Sequence, residues 1–206
     1  AQGYETVKDP SVYVRFPITS GELEKLGAAL LVWTTTPWTL VSNTAIAVHP
    51  EVDYVAARTK ETEDVKSEVL VVAEPLLSVL GDGYEVIKKM KGSDLERTSY
   101  ARPFDYVEIP DSHFVILADY VTTEDGTGVV HTAPSHGRDD FYTGQAYNLP
   151  VPNTVDEKGF LTHEAGEFEG TFFKDCDTVV VEKLQEVGAL LSASDYHHSY
   201  PYAERD

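Results

Sequence analysis

The pattern of hydrophobic and polar positions along the chain predicts a fold built mainly of strands. Several segments are rich in β-branched and aromatic residues, which favour strands: residues 11–17, 28–35, 52–57, 68–72, 85–90, 114–120 and 128–131. The charged stretch between the third and fourth segments, residues 58–66, is typical of a hairpin tip. The sequence therefore predicts a fold based on β-sheets, in which a charged turn connects the third and fourth strands.

Helices are predicted to be fewer and shorter. Residues 74–80 form a short helix stopped by Gly81, and a second helix runs from Arg138 to Tyr147. The strongest helix covers residues 173–187, where one apolar face is formed by Cys176, Val179, Val180, Leu184 and Val187. Because strands and helices do not alternate as in βαβ units, we expect a strand-rich α+β fold. Its predicted form is a β-barrel core with peripheral short helices, as a single domain over residues 1–206.

The charge balance limits the class of partner. The chain has 16 Lys and Arg against 35 Asp and Glu, a formal net charge of −19. A protein that grips a long phosphate backbone is usually basic, because Lys and Arg contacts release counterions. The acidity argues against a general nucleic-acid binder, but it is compatible with a pocket for the end of a nucleic acid that another domain presents.

Membrane insertion and disulfide formation are not expected. No apolar run approaches the roughly 20 residues that a membrane helix needs. The single cysteine, Cys176, cannot form an internal disulfide and fits a reducing compartment. We therefore expect a cytoplasmic protein without membrane contact, and the absence of a start methionine suggests a fragment of a larger one.

The first candidate site is a strand that runs into a threonine-rich turn, TTTPWTL at residues 34–40. Thr36 suits the N-cap of a helix and Pro37 its first position. Hydroxyls and free backbone N–H groups would then face one point, which suits a polar or anionic ligand. Because Ser and Thr caps are common, an ordinary capped turn explains the same spacing and stays open as an alternative.

The second candidate site is GTGVVHTAPSHGRDD at residues 126–140, where a strand ends in His131. Asp139 and Asp140 begin a helix, whose dipole favours the ionised form of a carboxylate there. An ionised aspartate that faces a cleft can pair with a substrate ammonium group. An aspartate at a helix start is also a common cap, so the structural interpretation stays open.

Other chemistries have weaker support. His131 and His136 lack the Cys pair or HExxH frame of a zinc site, so neither a metal nor a cofactor is predicted. The sequence contains no G-x-S-x-G elbow, which argues against a serine hydrolase of the α/β class. Cys176 lies on the apolar face of its predicted helix and is expected in the core.

Together the two motifs resemble those of the editing insertion of isoleucyl-tRNA synthetases. The likeness continues through AIAVHP at residues 45–50, YE and DPSVYV at residues 4–5 and 9–14, and HSYP at residues 198–201, so it covers nearly the whole chain. Two positions depart from the family: LVSN at residues 40–43 and YAERD after Pro201. The first departure bears on the adenosine contacts that the family makes there.

The resemblance implies a β-barrel inserted into a class I synthetase that hydrolyses valyl-tRNA(Ile), with valyl-adenylate as a second candidate substrate. Isoleucine exceeds valine by one methylene, and one methylene changes the binding free energy in a pocket by only about 1–3 kcal/mol. The isoleucine–valine pair is the standard example of this limit on discrimination by binding, so the value is a general one and was not worked out for this chain. A second site that admits valine and excludes isoleucine by size then supplies the missing fidelity.

The resemblance also implies roles for particular residues. Asp140 would bind the α-ammonium group, while Thr39 and His131 would wall the side-chain pocket. Thr36, with Thr35 and Asn43, would hold the terminal adenosine and orient the attacking water, so that Asp140, Thr36 and His131 form the reaction centre. No protein nucleophile is needed, because positioning supplies much of the acceleration. The predicted substrate-binding residues are Thr34, Thr35, Trp38 in the pocket floor, Thr39, Asn43 and Asp139.

The partners implied are the acceptor end of tRNA(Ile), mischarged valine and the remainder of the synthetase chain. One alternative is a non-catalytic β-barrel module that binds the acceptor end or a protein partner, which the net charge of −19 favours. Another is a metallohydrolase, which would lose activity on chelation.

Overall fold

The computed structural model describes residues 4–136, 138–152 and 154–201, with side chains described between residues 10 and 194 of these ranges. The strands in this part of the chain, in chain order, are β1 (Tyr4–Pro17), β2 (Ala28–Thr34), β3 (Ala45–Val48), β4 (Asp53–Arg58), β5 (Val69–Ala73), β6 (Glu85–Lys91), β7 (Val115–Leu117), β8 (Val129–Thr132) and β9 (Leu190–Pro201).

The strands form two sheets. The larger has six strands in the order β6-β4-β5-β2-β1-β9, and the smaller has three in the order β7-β3-β8. Both sheets are mixed, because β2 pairs parallel with β5 and β3 parallel with β7, whereas the other pairs are antiparallel. Strand β2 also contacts β8, so the two sheets meet at the end of β2.

The continuous apolar run of β2 reflects burial on both of its faces. Leu30 and Val32 belong to the main core, whereas Ala29 and Leu31 pack into a separate cluster on the opposite face with Leu70 of β5. In a strand that is covered on both faces, apolar and polar residues do not alternate, because a polar side chain would be buried on whichever face it pointed to. This double burial fixes the position of the threonine turn that follows β2.

Strands β1 and β9 form a long antiparallel ribbon. Tyr4 pairs with Pro201 and Val12 with Ala193, and the register shifts once, between Tyr13 and Val14. The two segments at the ends of the family resemblance are therefore hydrogen-bonded neighbours in the fold.

Helices lie outside the sheets. The α-helices in the described ranges are α1 (Gly21–Lys25), α2 (Arg138–Ala146) and α3 (Cys176–Glu186), and the 3-10 helices are Pro37–Ser42, Glu74–Leu80, Gly92–Leu95, His163–Phe168 and Phe173–Asp175. None of the helices in these ranges has the length and apolarity to cross a membrane.

The predicted apolar face of the third helix is only partly correct. Cys176, Val180 and Leu184 are fully buried, but Val179 and Val187 are 45% and 49% exposed. The buried face is therefore narrower than predicted. It consists of Cys176, Val180 and Leu184, at a spacing of four residues, because the helix contacts the core along one line. The helix ends before Gly188, which has a φ of +78°, as expected of a helix stop.

The prediction of a strand-rich α+β fold with few short helices is confirmed. The barrel is a loose description of it, since in the described residues the two sheets are not hydrogen-bonded into a closed cylinder. The sequence analysis missed β3 and β9. Strand β3 has only four residues, two of them alanine, and β9 is largely polar, so neither is as rich in β-branched and aromatic residues as the predicted strands.

Candidate functional site

A cavity of about 220 Å³ lies where β2 ends, β8 ends and α2 begins. Residues from both predicted motifs line it together. The lining residues are Trp33, Thr34, Thr36, Thr39, Val130, His131, Ala133, His136 and Asp140. The strand ends thus bring together two segments that are about 100 residues apart in the sequence.

The threonine turn is held by its own hydroxyls. The backbone N–H of Thr36 donates to the Thr34 hydroxyl at 3.0 Å, and the Thr39 hydroxyl donates to the Thr36 carbonyl at 2.9 Å. Thr36 occupies the cap position and Pro37 begins the helix, as predicted, but the Thr36 side chain makes no capping hydrogen bond. The expected cap is therefore wrong in its mechanism, because the helix is a 3-10 turn whose threonine hydroxyls bond one another.

His131 forms a neutral wall of the cavity. Its Nε2 lies 2.9 Å from the Thr39 hydroxyl, and its Nδ1 lies 2.7 Å from the Asn43 side-chain nitrogen. Burial, assisted by the nearby His136, lowers the pKa of His131 to about 3. The imidazole is therefore uncharged at neutral pH and adds no positive charge to the cavity.

Asp140 at the start of α2 is the acidic group of the cavity. One carboxylate oxygen accepts the Ala133 N–H at 3.0 Å, and the other accepts the Tyr120 hydroxyl at 3.2 Å. The pKa of Asp140 is raised above its ordinary value, with burial as the largest cause and Asp139 as a further one, although the two hydrogen bonds act to lower it. The helix start was expected to favour the anion, whereas the pKa of this carboxyl is raised in the fold, chiefly by burial.

Trp38 supports the wall from behind. Its ring packs edge-on against His136, with 4.8 Å between ring centroids, and in a tilted arrangement against Phe173, at 5.0 Å. The backbone N–H of Trp38 donates to Asp177 of α3 at 3.0 Å. His136 in turn lies 3.1 Å from the Thr154 hydroxyl, and burial lowers the pKa of His136 to about 4.

A second pocket of about 400 Å³ adjoins the first and shares with it Trp33, Thr34 and Val130. Thr35 lines this second pocket, together with Tyr120 and the segment from Asp125 to Val130. The two volumes therefore form a continuous polar and aromatic surface on either side of Trp33.

The structure brings most of the predicted site residues together, but not all of them. Asn43 is fully buried behind His131, and Asp139 is exposed on the outer side of α2, so neither lines either cavity. Trp38 lies behind His136 and not in the floor. The predicted residues that do line one of the two cavities are Thr34, Thr35, Thr36, Thr39, His131 and Asp140.

Trp33, Tyr120 and His136 are site residues to which the sequence analysis gave no substrate role. Trp33 separates the two pockets, and its indole N–H donates to the Ser11 hydroxyl of β1 at 2.6 Å. Tyr120 supports Asp140, and only its position at the end of a predicted strand offered a signal. His136 was weighed only as a metal ligand. Among the described residues, no three His, Cys, Asp or Glu side chains are grouped for a metal ion.

Comparison with known proteins relates this chain to one family. The family model described as "Leucyl-tRNA synthetase, editing domain" matches residues 9–185. The isoleucine–tRNA ligase of Thermobifida fusca is 56% identical over 100% of this chain and 19% of its own length. The isoleucine–tRNA ligase of Methanocaldococcus jannaschii is 40% identical over 98% of this chain and 20% of its own length. The chain thus spans about a fifth of the length of these relatives.

Solved structures share the fold. The editing domain of the P. falciparum cytosolic leucyl-tRNA synthetase has a TM-score of 0.64 at 10% identity, covering 89% of this chain and 99% of that one. The corresponding P. knowlesi domain has a TM-score of 0.60 at 13% identity, covering 93% of this chain and 97% of that one. At such identities the likeness concerns the fold alone.

Proposed function

The chain belongs to the editing-domain family of the aminoacyl-tRNA synthetases, and we propose that it removes wrongly attached valine by hydrolysing the ester of valyl-tRNA(Ile). The observation that carries the proposal is the single cavity that Thr36, His131 and Asp140 share. A carboxylate, hydroxyl groups and a neutral wall are the groups that an aminoacyl ester with a free ammonium group requires.

Asp140 is proposed to bind the α-ammonium group of the substrate. It is the only carboxylate among the residues that line the smaller cavity. The Ala133 N–H and the Tyr120 hydroxyl hold both of its oxygens in place, so the ammonium group meets a preorganised anion. An ammonium group nearby also favours the ionised carboxylate, which offsets the effect of burial on the pKa of Asp140.

Thr39 and His131 are proposed to set the size limit. Their side chains are joined by a hydrogen bond, and both are buried, so the wall cannot easily move outward to accept another methylene. The volume of about 220 Å³ is smaller than the roughly 300–1,000 Å³ of pockets that enclose whole drug-sized ligands. It suits the amino-acid part of the substrate and not the nucleoside.

The adenosine at the acceptor end is proposed to occupy the adjoining pocket of about 400 Å³. Thr34 and Thr35 offer hydroxyls there, and Trp33 and Tyr120 offer aromatic surface. Because Trp33 and Thr34 line both pockets, the ester bond would lie between them, within reach of the Thr36 hydroxyl. Taking only a terminal nucleotide is compatible with a net charge of −19.

In the proposed reaction, a water oxygen attacks the ester carbonyl carbon, and the carbon–oxygen bond to the ribose breaks. The water proton passes to the ribose oxygen, so the products are valine and uncharged tRNA. Thr36 and Thr34 hold the water, and Asp140 holds the substrate. Since the pKa of His131 is about 3, we assign it to the wall and not to proton transfer.

The surrounding protein is proposed to be an isoleucine–tRNA ligase of the cytoplasm. The proposal is supported by the similarity to isoleucine–tRNA ligases, of which this chain covers about a fifth. The remainder of the synthetase would supply the other tRNA contacts. Valyl-adenylate, which carries the same valyl group, is a second candidate substrate.

The test is hydrolysis of valyl-tRNA(Ile) and isoleucyl-tRNA(Ile) by this chain under identical conditions. We expect kcat/KM to be at least about tenfold higher for the valyl ester. Equal rates for the two esters would refute the size limit. Binding of a non-hydrolysable valyl-adenosine analogue without turnover of either ester would favour the non-catalytic module, and loss of activity on chelation would favour a metallohydrolase.

A further inference from the structure

Behind the wall of the smaller cavity, a chain of buried hydrogen bonds runs from Tyr100 to the threonine turn. Tyr100 is 4% exposed and its hydroxyl donates to the Asn43 side-chain oxygen. Asn43 contacts His131, and His131 contacts Thr39. Neither Tyr100 nor Asn43 lines the cavity, so any effect they have on the substrate acts through His131.

The orientation of the Asn43 amide is fixed by its other partners. Its nitrogen donates to the Ala45 carbonyl at 3.1 Å, and a carbonyl can only accept. Its oxygen accepts the Tyr100 hydroxyl. The second N–H of the amide must therefore be the one that points at Nδ1 of His131, at 2.7 Å.

This arrangement determines which nitrogen of His131 carries the proton. Because Asn43 donates to Nδ1, that nitrogen is an acceptor, and the neutral ring must carry its proton on Nε2. Nε2 then donates to the Thr39 hydroxyl at 2.9 Å. The Thr39 hydroxyl in turn donates a hydrogen bond to the Thr36 carbonyl at 2.9 Å. From Tyr100 to Thr39, each donor along this path therefore points towards the threonine turn.

We propose that Tyr100 is a positioning residue for substrate selectivity, because its hydroxyl anchors the oxygen of the Asn43 amide, whose nitrogen, oriented by the Ala45 carbonyl, holds the ring of His131 in its Nε2–H form. The inference rests on the proposed function, in which His131 limits the size of the amino acid. It also gives Asn43 a role as the support of His131 in place of the adenosine contact expected from the sequence.

Tyr100 is well suited to this role because it is itself held rigidly. Its ring packs edge-on against Phe16 of β1, with 5.4 Å between centroids, and against His113 at 6.0 Å. A backbone bridge also pairs Tyr100 with Ile18. Burial keeps the pKa of the phenol well above its ordinary value, so the hydroxyl retains its proton and remains a donor.

The proton position can be measured without any substrate. Nitrogen-15 spectra of the imidazole rings distinguish the Nε2–H form from the Nδ1–H form, and we expect the Nε2–H pattern for His131 in the wild-type chain. Asn43→Asp places an acceptor opposite Nδ1, so it should move the proton to Nδ1. An Nδ1–H pattern in the wild-type chain, or no change in Asn43→Asp, would overturn the proposal.

Tyr100→Phe tests the first link of the chain. It keeps the ring and removes the donor to Asn43, while the Ala45 carbonyl still sets which end of the amide faces Nδ1. We therefore expect the Nε2–H form of His131 to remain and the Nδ1 signal to shift as the amide loses its anchor. The ratio of kcat/KM for valyl over isoleucyl ester should fall about tenfold, through faster hydrolysis of the isoleucyl ester. A purely structural role would slow both esters alike.

The matched control is Tyr106→Phe, which removes a phenol hydroxyl that donates to Glu167 elsewhere in the fold. It should leave both the His131 pattern and the selectivity unchanged. If Tyr100→Phe also changed neither, the proposal would be refuted. If the wild-type chain showed no selectivity between the esters, the proposed function would fail, while the nitrogen-15 pattern would still decide the role of the Tyr100 chain.

Discussion

Replacing Asp140 by asparagine should separate the contribution of its charge from that of its shape. The asparagine oxygen can accept the Ala133 N–H, and its amide N–H can donate to the oxygen of Tyr120, so both contacts of the carboxylate have a counterpart. What is lost is the negative charge that is proposed to pair with the substrate ammonium group.

The expected loss of activity is large. Removing one partner of a buried, hydrogen-bonded charge pair costs about 2–5 kcal/mol. At about 1.36 kcal/mol per factor of ten, kcat/KM for valyl-tRNA(Ile) should fall roughly 30-fold to 5,000-fold. Asp82→Asn is the matched control, because it makes the same change in net charge at an exposed loop position outside both cavities.

The effect of Asp140→Asn on stability should have the opposite sign. Burial raises the pKa of Asp140, so the folded chain binds this proton more readily than the unfolded chain. The stability that this proton contributes is complete below the unfolded pKa of about 3.9 and is lost as the pH rises through the higher folded pKa. At neutral pH the ionised carboxylate therefore destabilises the fold, and Asp140→Asn should leave Tm unchanged or raise it.

Two results would refute this reasoning. N-acetylvalyl-tRNA lacks the ammonium group, so Asp140→Asn should have little further effect on its slow hydrolysis. A loss as large as that for valyl-tRNA would show that the carboxylate acts in some other way. An equal loss in Asp139→Asn, whose side chain is exposed on the same helical turn, would show that the assignment to Asp140 is wrong.

Three further substitutions test the wall and the packing. His131→Ala should admit isoleucine, raising kcat/KM for isoleucyl ester relative to valyl ester by about tenfold or more; an unchanged ratio would contradict its role as a wall. Val180→Ala should lower the free energy of unfolding, measured in urea, by about 1.5–3 kcal/mol, because Val180 is buried. The control Val179→Ala should change it by no more than about 0.5 kcal/mol, because Val179 is exposed. Equal effects would mean that the buried face of α3 is wrongly assigned. Gly128→Ala should lower the free energy of unfolding by about 2–4 kcal/mol, because Gly128 has a φ of +75° and an added Cβ would lie 2.5 Å from the Cβ of Ala73. A loss below about 1 kcal/mol would contradict this prediction.

The sequence predicted local features well where a residue type by itself determines the local structure, as glycine does at the end of a helix. Gly81 and Gly188 both end helices with positive φ, and the charged residues 58–66 do connect two antiparallel strands. Strand β2 was predicted correctly because its first five residues are buried and therefore form an unbroken apolar run. By contrast, β9 was missed because its polar composition reflects a ribbon that is hydrogen-bonded to a single neighbour.

The candidate site could be predicted only in part, because proximity in a fold is not a property of the sequence pattern. The residue types of the two motifs determined which groups were available: threonine hydroxyls, an imidazole and a carboxylate at a helix start. Only the meeting of β2 and β8 decided that Thr36 and Asp140 share one cavity. The same packing decided that Asp139 faces outward and that Asn43 supports His131 from behind, since burial and hydrogen-bond direction depend on every element that surrounds a side chain.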